Sequence, residues 1–289
     1  MTTRTATELI TVTSTRRRRT QGRYGWMLSA LTWIVALLTV FPFIWMIITA
    51  FKSEVDAVTL PPKLFFEPTL EQFQTAFANN FLPFFQNSIT SSVVSVVLVM
   101  VLALPAAYAL SIRPIRAWRD VMFFLLSTRM LPIAGAIIPI YLISNWLGLL
   151  DQTVLLIIMY TAMNLPLAVW LIRSFMVEIP KEILEAARVD GANFYQELWR
   201  IVWPMVAPGL AATALLCFIF SWNEFFLARS LTSVQAQTVP LYLVGFISTQ
   251  GLFLAKLSAA SLLATLPVVL AGLLAQKQLV RGLSLGAIK

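Results

Sequence analysis

Long apolar runs, broken by short polar, charged or proline-bearing links, set the pattern of the whole chain. Windows of about 20 apolar residues have the length needed to cross a hydrocarbon core about 30 Å thick. They predict six spans, over residues 27–51, 84–110, 120–145, 153–173, 205–230 and 256–277. Pro105, Pro132, Pro139, Pro166 and Pro267 fall inside spans and are expected to kink or hinge them. The long link 52–83 carries Pro61, Pro62, Pro68 and Pro83, and within it PTLEQFQTAF reads as a short helix capped near Thr69. The expected fold class is all-α, a polytopic membrane protein with six transmembrane helices.

Composition agrees with that class. The 289 residues are 59% hydrophobic and only 12% charged, about half the charge of a soluble domain. Mean hydropathy is +0.81. A single cysteine, Cys217, excludes an internal disulfide, and the absence of histidine argues against the usual zinc and haem sites and against His-based acid–base chemistry.

The net charge of +8 changes the picture through its placement. Membrane proteins keep an excess of Lys and Arg in cytoplasmic loops. With the N-terminus inside, that side holds Arg4, Arg16, Arg17, Arg18, Arg19 and Arg23, then Arg113, Arg116 and Arg119 after span two. Arg173, Lys181, Arg188 and Arg200 follow span four, and Lys277, Arg281 and Lys289 close the chain. These are 16 of the 21 basic residues. Both termini are therefore expected in the cytoplasm. The RRRR run reads as a topogenic tether that touches anionic membrane lipid, and no nucleic-acid partner is expected. The domain reading is a disordered basic tail over 1–26, a six-helix membrane domain over 27–280, and a C-terminal tail over 281–289.

The densest charge between two spans lies in 178–204, which includes EAARVDGANFYQELWRIVWP. Pro180 suits the first turn of a helix, and Glu182 and Glu185 lie near its positive end. Ile179, Ile183 and Ala187 recur every four residues as an apolar face. Gly191 is placed to end the helix in the left-handed conformation. Asn193 with Gln196 three residues on reads as a capping box that starts a second helix, whose face is Phe194, Leu198 and Ile201–Val202. Glu178, Glu182, Glu185, Arg188, Glu197 and Arg200 are expected on the exposed side. The physics leaves two readings open: an interfacial connector, or a docking element for a soluble partner.

This stretch resembles the EAA loop of the permease subunits of type I ABC importers. Glu185-Ala186-Ala187, Gly191, Ile201 and Pro204 stand at that pattern's spacing, and Trp203 departs from it where leucine is usual. IPKEILEAA, APGL, SWNEF at 221–225 and VRGLSLGAIK at the end are also similar to carbohydrate-uptake permeases of the maltose-transporter type, as their smaller subunit. The resemblance implies cytoplasmic coupling helices. It also implies a heterodimer with a second permease, two cytoplasmic ATPase subunits, an external substrate-binding protein and a carbohydrate substrate, in a bacterial or archaeal plasma membrane. It further implies that Glu185, Ala186, Ala187, Asp190, Gly191, Ile201 and Pro204 couple to the ATPase, and that Arg281, Gly282 and Ser284 reach the ATPase pair. The external loop 231–255 would touch the binding protein.

The chain contains no G-x-x-x-x-G-K-[ST] phosphate loop. No cofactor is therefore expected in this chain, and ATP and Mg are expected on the partner ATPase subunits. The chain reads as a non-catalytic subunit. Only Arg129 and Glu224 look membrane-embedded, at about 13 Å and about 27 Å along their spans from the cytoplasmic ends at 1.5 Å per residue, so a direct pair is not expected. Uncharged sugars are held by amides and aromatic faces, which makes Asn87, Tyr141, Asn164, Trp222 and Asn223 substrate-path candidates, and Glu224 joins them as a residue that with Asn223 would line an external gate. An ion-coupled secondary transporter working alone is the alternative, and the sparse intramembrane acids disfavour it.

Overall fold

A computed structural model describes the backbone of residues 25–248 and 251–285, with side chains over 25–247 and 253–276. The basic tail expected over 1–26 lies outside the described residues up to position 24, as do the side chains of Arg281, Gly282 and Ser284. The chain divides into two units, Met1–Trp45 and Met46–Lys289. Helix α1 (Gly25–Ala50) falls across that division. In the second unit α2 (Glu54–Val58) and α3 (Glu71–Ala78) fold the link after span one. Then come α4 (Phe81–Ser111), α5 (Trp118–Met130), α6 (Ile133–Trp146), α7 (Thr153–Val177) and α8 (Lys181–Val189). The short α9 (Phe194–Gln196) runs through a π-helical turn, Glu197–Val202, into α10 (Trp203–Trp222). Helices α11 (Phe226–Leu231) and α12 (Val239–Val244), a two-residue antiparallel pairing of β1 (Ile247–Ser248) with β2 (Gly251–Leu252), and α13 (Leu254–Leu285) complete it.

Five of these helices are long and apolar enough to cross a membrane, and α5 with α6 makes a sixth span if the bent pair counts as one. Span three is therefore not the single helix expected over 120–145: α5 and α6 meet at 90°. Leu131 is extended, with ψ 124°, because a residue before proline is pushed out of the helical region. Span five, expected to reach 230, ends at Trp222, and a break at 223–225 leads into α11. Span six continues as helical backbone to Leu285, beyond the expected boundary at 277.

The core lies between α4, α7 and α10. Val99, Ala103 and Ala107 meet Ala168, Ile172 and Met176, with Val206, Leu210 and Cys217 closing the third side. Small residues at these positions let helix backbones approach closely. At Gly209 the approach is closest: a Cβ there would run into the ring of Phe175. Val93, Val97 and Val101 on α4 remain exposed, as expected of a surface whose solvent is hydrocarbon.

Next to the expected cap of α3, the Thr69 hydroxyl accepts the Glu71 N–H at 3.1 Å, while Leu70 takes the N-cap position itself. Glu54 fastens that link to span six by accepting the N–H groups of Ala255 and Lys256 at 3.1 and 3.3 Å.

Candidate functional site

The joint between α7 and α10 follows its local sequence closely. Gly191 takes φ +83°, a conformation that costs glycine little. The N–H of Asp190 donates to Ala186 at 2.9 Å and that of Ala192 to Ala187 at 3.0 Å, which closes the end of α8. The Asn193 side chain then accepts the Gln196 N–H at 3.0 Å, while the Gln196 side chain accepts the Asn193 N–H at 2.9 Å. This is the reciprocal cap expected from the sequence. The π turn follows, where the Trp203 N–H donates to the Leu198 carbonyl, five residues back.

Two side-chain placements differ from expectation. The buried apolar contact of α8 is Leu184, at 6% exposure, whereas Ile183 is 42% exposed. Ile179 precedes the first residue of α8, so its phase does not carry into the helix. The second difference is Glu197, expected on the exposed side and found fully buried at 0%. It lies three residues after Phe194 and one before Leu198, on the face that packs inward.

Two arginines from elsewhere compensate Glu197. Arg113, in the link between α4 and α5, donates to Oε2 at 2.7 Å. Arg188, in the last turn of α8, donates Nη2 to Oε1 at 2.8 Å and Nε to Oε2 at 3.2 Å. The shared carboxylate holds both guanidinium pKa values above their ordinary value. Tyr108 from α4 packs edge-on against Phe194 beside the pair, with centroids 5.2 Å apart. Arg173 stacks on Trp118 at 4.3 Å and donates to the Leu110 carbonyl at 3.0 Å, tying α7 to the same end of α4 and α5.

The outward side of the joint is mixed. Glu182, Glu185, Asp190 and Arg200 are exposed there, alongside Tyr195, Trp199 and Val189, the last at 88% exposure. Ala186 is exposed and Ala187 half-buried, while Ile201 is half-buried and Pro204 exposed at the start of α10. A cavity of about 340 Å³ opens beside Glu185, walled by Lys181, Leu184 and Arg188 and by the ends of α4 and α7.

At the opposite ends of the spans the loop from α11 to α12 is fastened down. Asp151, in the link between α6 and α7, accepts the N–H groups of Ser233, Val234, Gln235 and Ala236 at 3.0–3.1 Å, and the Ser233 hydroxyl at 3.0 Å. Partial burial raises its pKa, but these backbone donors outweigh it and hold the carboxyl well below the usual range. Asn87 donates to the carbonyls of Gln235 and Gln237 at 2.7 and 3.0 Å, and the Ser88 hydroxyl accepts the Val239 N–H at 2.8 Å. Neither Asp151 nor Asn87 announces this in the sequence, since their partners lie 82 to 150 residues away.

The remaining substrate-path candidates do not gather at one surface. Asn164 is buried and donates to Ser221 Oγ at 2.9 Å, with Ser95 Oγ 3.3 Å from the same atom. Trp222 is buried and donates Nε1 to the Ala264 carbonyl at 3.2 Å. Glu224 caps α11 by accepting the N–H groups of Leu227 and Ala228 at 2.9 and 3.1 Å. Arg129 donates to the Met163 carbonyl at 2.6 Å and lies over Phe220. Among the described residues no ion pair joins Arg129 to Glu224. Asn223 and Tyr141 are exposed, the amide of Asn223 donating to the Ile219 carbonyl at 2.8 Å.

Such an arrangement defines a class: a polytopic helical membrane protein with a charged helical joint between two spans and a fastened loop at the far ends. The chain belongs to the family of binding-protein-dependent transport system inner membrane components, whose model matches residues 20–283. A probable ABC transporter permease protein of Sinorhizobium fredii is 36% identical over 96% of this chain and 99% of its own. A trehalose/maltose transport system permease protein of Thermococcus litoralis is 34% identical over 89% and 94%. Among solved structures, a bacterial ABC transporter involved in importing the acidic polysaccharide alginate matches with a TM-score of 0.73 and 28% identity, over 90% of this chain and 97% of that one.

Proposed function

We propose that this chain is the smaller permease subunit of an ATP-driven importer of a sugar, oligosaccharide or polyol, and that its α8–Gly191–α9 joint couples ATPase closure to alternating access. The observation that carries the reading is the joint itself: an inner side locked by Leu184, Leu198 and Glu197, and an outer side showing acidic and aromatic groups to a partner. The Thermococcus relative supports a sugar substrate. So does the lack of charged residues along α4 and α10, which suits a neutral cargo held by hydrogen bonds and aromatic faces. An ion-coupled carrier acting alone is not favoured by membership of this family.

In this reading two ATPase subunits bind ATP and Mg and carry out hydrolysis, so this chain is not itself catalytic. A second permease completes a heterodimer, and an external binding protein delivers substrate to the loop over 231–255. Glu185, Ala186, Ala187, Asp190, Gly191, Ile201 and Pro204 form or position the ATPase-facing joint, and Arg281, Gly282 and Ser284 approach the ATPase pair. In this reading both termini face the cytoplasm, which the placement of basic residues supports. The test is co-purification of the full chain with an ATPase and binding-protein-dependent uptake in vesicles. Uptake that stops on ATP depletion at a held ion gradient supports the reading, and uptake that follows the gradient without an ATPase overturns it.

A further inference from the structure

We infer that Glu197 is a positioning residue that ties the joint to the α4–α5 end of the molecule, so that displacement of α8 is passed to three spans and not to its chain neighbours alone. This rests on the coupling role proposed for the joint. By covalent connection α8 reaches only α7, through Glu178–Pro180, and α10, through Gly191 and the π turn. Glu197 adds a third connection. Its two oxygens are shared between Arg188 of α8 at 2.8 Å and Arg113 of the α4–α5 link at 2.7 Å.

Three features make this connection stiff. The carboxylate is fully buried at 0% exposure, so water does not screen it as it would a surface pair. Arg188 engages it through two nitrogens, a fork geometry that fixes direction as well as distance. The backbone that carries the carboxylate is held as well, the Glu197 N–H donating to the Asn193 carbonyl at 2.9 Å at the start of the π-helical turn. Tyr108 packs edge-on against Phe194, and Arg173 on Trp118 joins α7 to the start of α5. The two arginine side chains remain partly exposed, 46% for Arg113 and 38% for Arg188. Removing the carboxylate therefore frees both arginines to turn to water, and α8 keeps only its hinge and the non-directional packing of Leu184.

The experiment uses the full chain assembled with its partner subunits in nanodiscs, with spin labels at positions 116 and 189 to report the distance between the α4–α5 link and α8. Glu197→Gln and Arg113→Gln are each expected to broaden that distance distribution. Each should lower substrate transported per ATP hydrolysed by about tenfold while the ATPase still co-purifies, and the double variant should be no worse than either single one. Arg113 is half exposed, so its variant keeps the test open if Glu197→Gln does not fold. Unchanged distances, or broadened distances with unchanged transport per ATP, would overturn the inference. A parent chain that recruits no ATPase would instead defeat the functional reading beneath it, which the parent control reports separately.

Discussion

The carboxylate of Asp151 meets the backbone N–H of Gln235 with both oxygens at 3.0 Å, across 84 residues of chain. Its other donors are the preceding and following amides of the same turn and the Ser233 hydroxyl, so the loop wraps a single charge. Hydrogen bonds to a charged acceptor contribute about 1.5–3 kcal/mol each in net terms. Asp151→Asn is expected to lower the melting temperature in detergent and to expose residues 232–238 to proteolysis. The pKa of Asp151 is depressed on folding, so its contribution is fully present above the unfolded value of about 4. It is lost as pH falls through the lower folded value. Melting temperature should therefore drop below about pH 4 in the parent, and less steeply in the Asn variant.

Gly191 has open space around it, and a Cβ there would meet nothing within 4 Å. Any penalty on substitution therefore comes from its φ of +83°. Gly191→Val should cost about 1–3 kcal/mol of local strain and misdirect α9, abolishing coupled transport. Gly191→Asn, which tolerates positive φ better, should retain most of it. Equal loss in both variants would show that the backbone conformation is not what matters.

Glu185 is exposed beside the cavity at the joint, and no ion pair engages it among the described residues. Glu185→Ala should leave the melting temperature of the isolated chain unchanged while weakening ATPase recovery. Truncating one member of a buried interfacial charge pair costs about 2–5 kcal/mol, so recovery should fall at least tenfold. A variant that recovers ATPase like the parent would remove Glu185 from the docking surface.

Gly209 allows α10 to meet α7 at Phe175. Overpacking a filled core costs about 1–3 kcal/mol, so Gly209→Val should lower stability by that amount. Phe175→Leu in the same chain should recover part of the loss, because the two sites share one contact.

The native thiol Cys217 is fully buried at 0% exposure, so a Cys217→Ser background should be quiet to labelling reagents. In it, Asp190→Cys should react only after sealed cells are opened, and a cysteine at position 234 should react from outside. Reaction of position 190 in intact cells would invert the topology.

Much of this protein follows from short stretches of its own sequence. Spans follow from apolar length, while the end of α8 follows from Gly191 and the restart of the chain from Asn193 with Gln196, because these two are settled within about one helical turn by sterics or by a reciprocal hydrogen bond. Pro132 likewise marks a break in span three, though not its right angle, since proline forbids a conformation without choosing the new direction. Which of Ile183 and Leu184 turns inward depended on where α8 begins and on the face it meets. The largest departures are the ionised side chains. A glutamate such as Glu197 is read as exposed because burying a lone carboxylate costs far more than a helix face can return. That cost changes sign only when Arg113 and Arg188 are delivered to it by tertiary folding, 84 and 9 residues away. Asp151 and the amides of 233–236 are the same case at the other end of the spans. Local conformation is written in the chain, while the placement of buried charge belongs to the fold, because only the fold brings the partner.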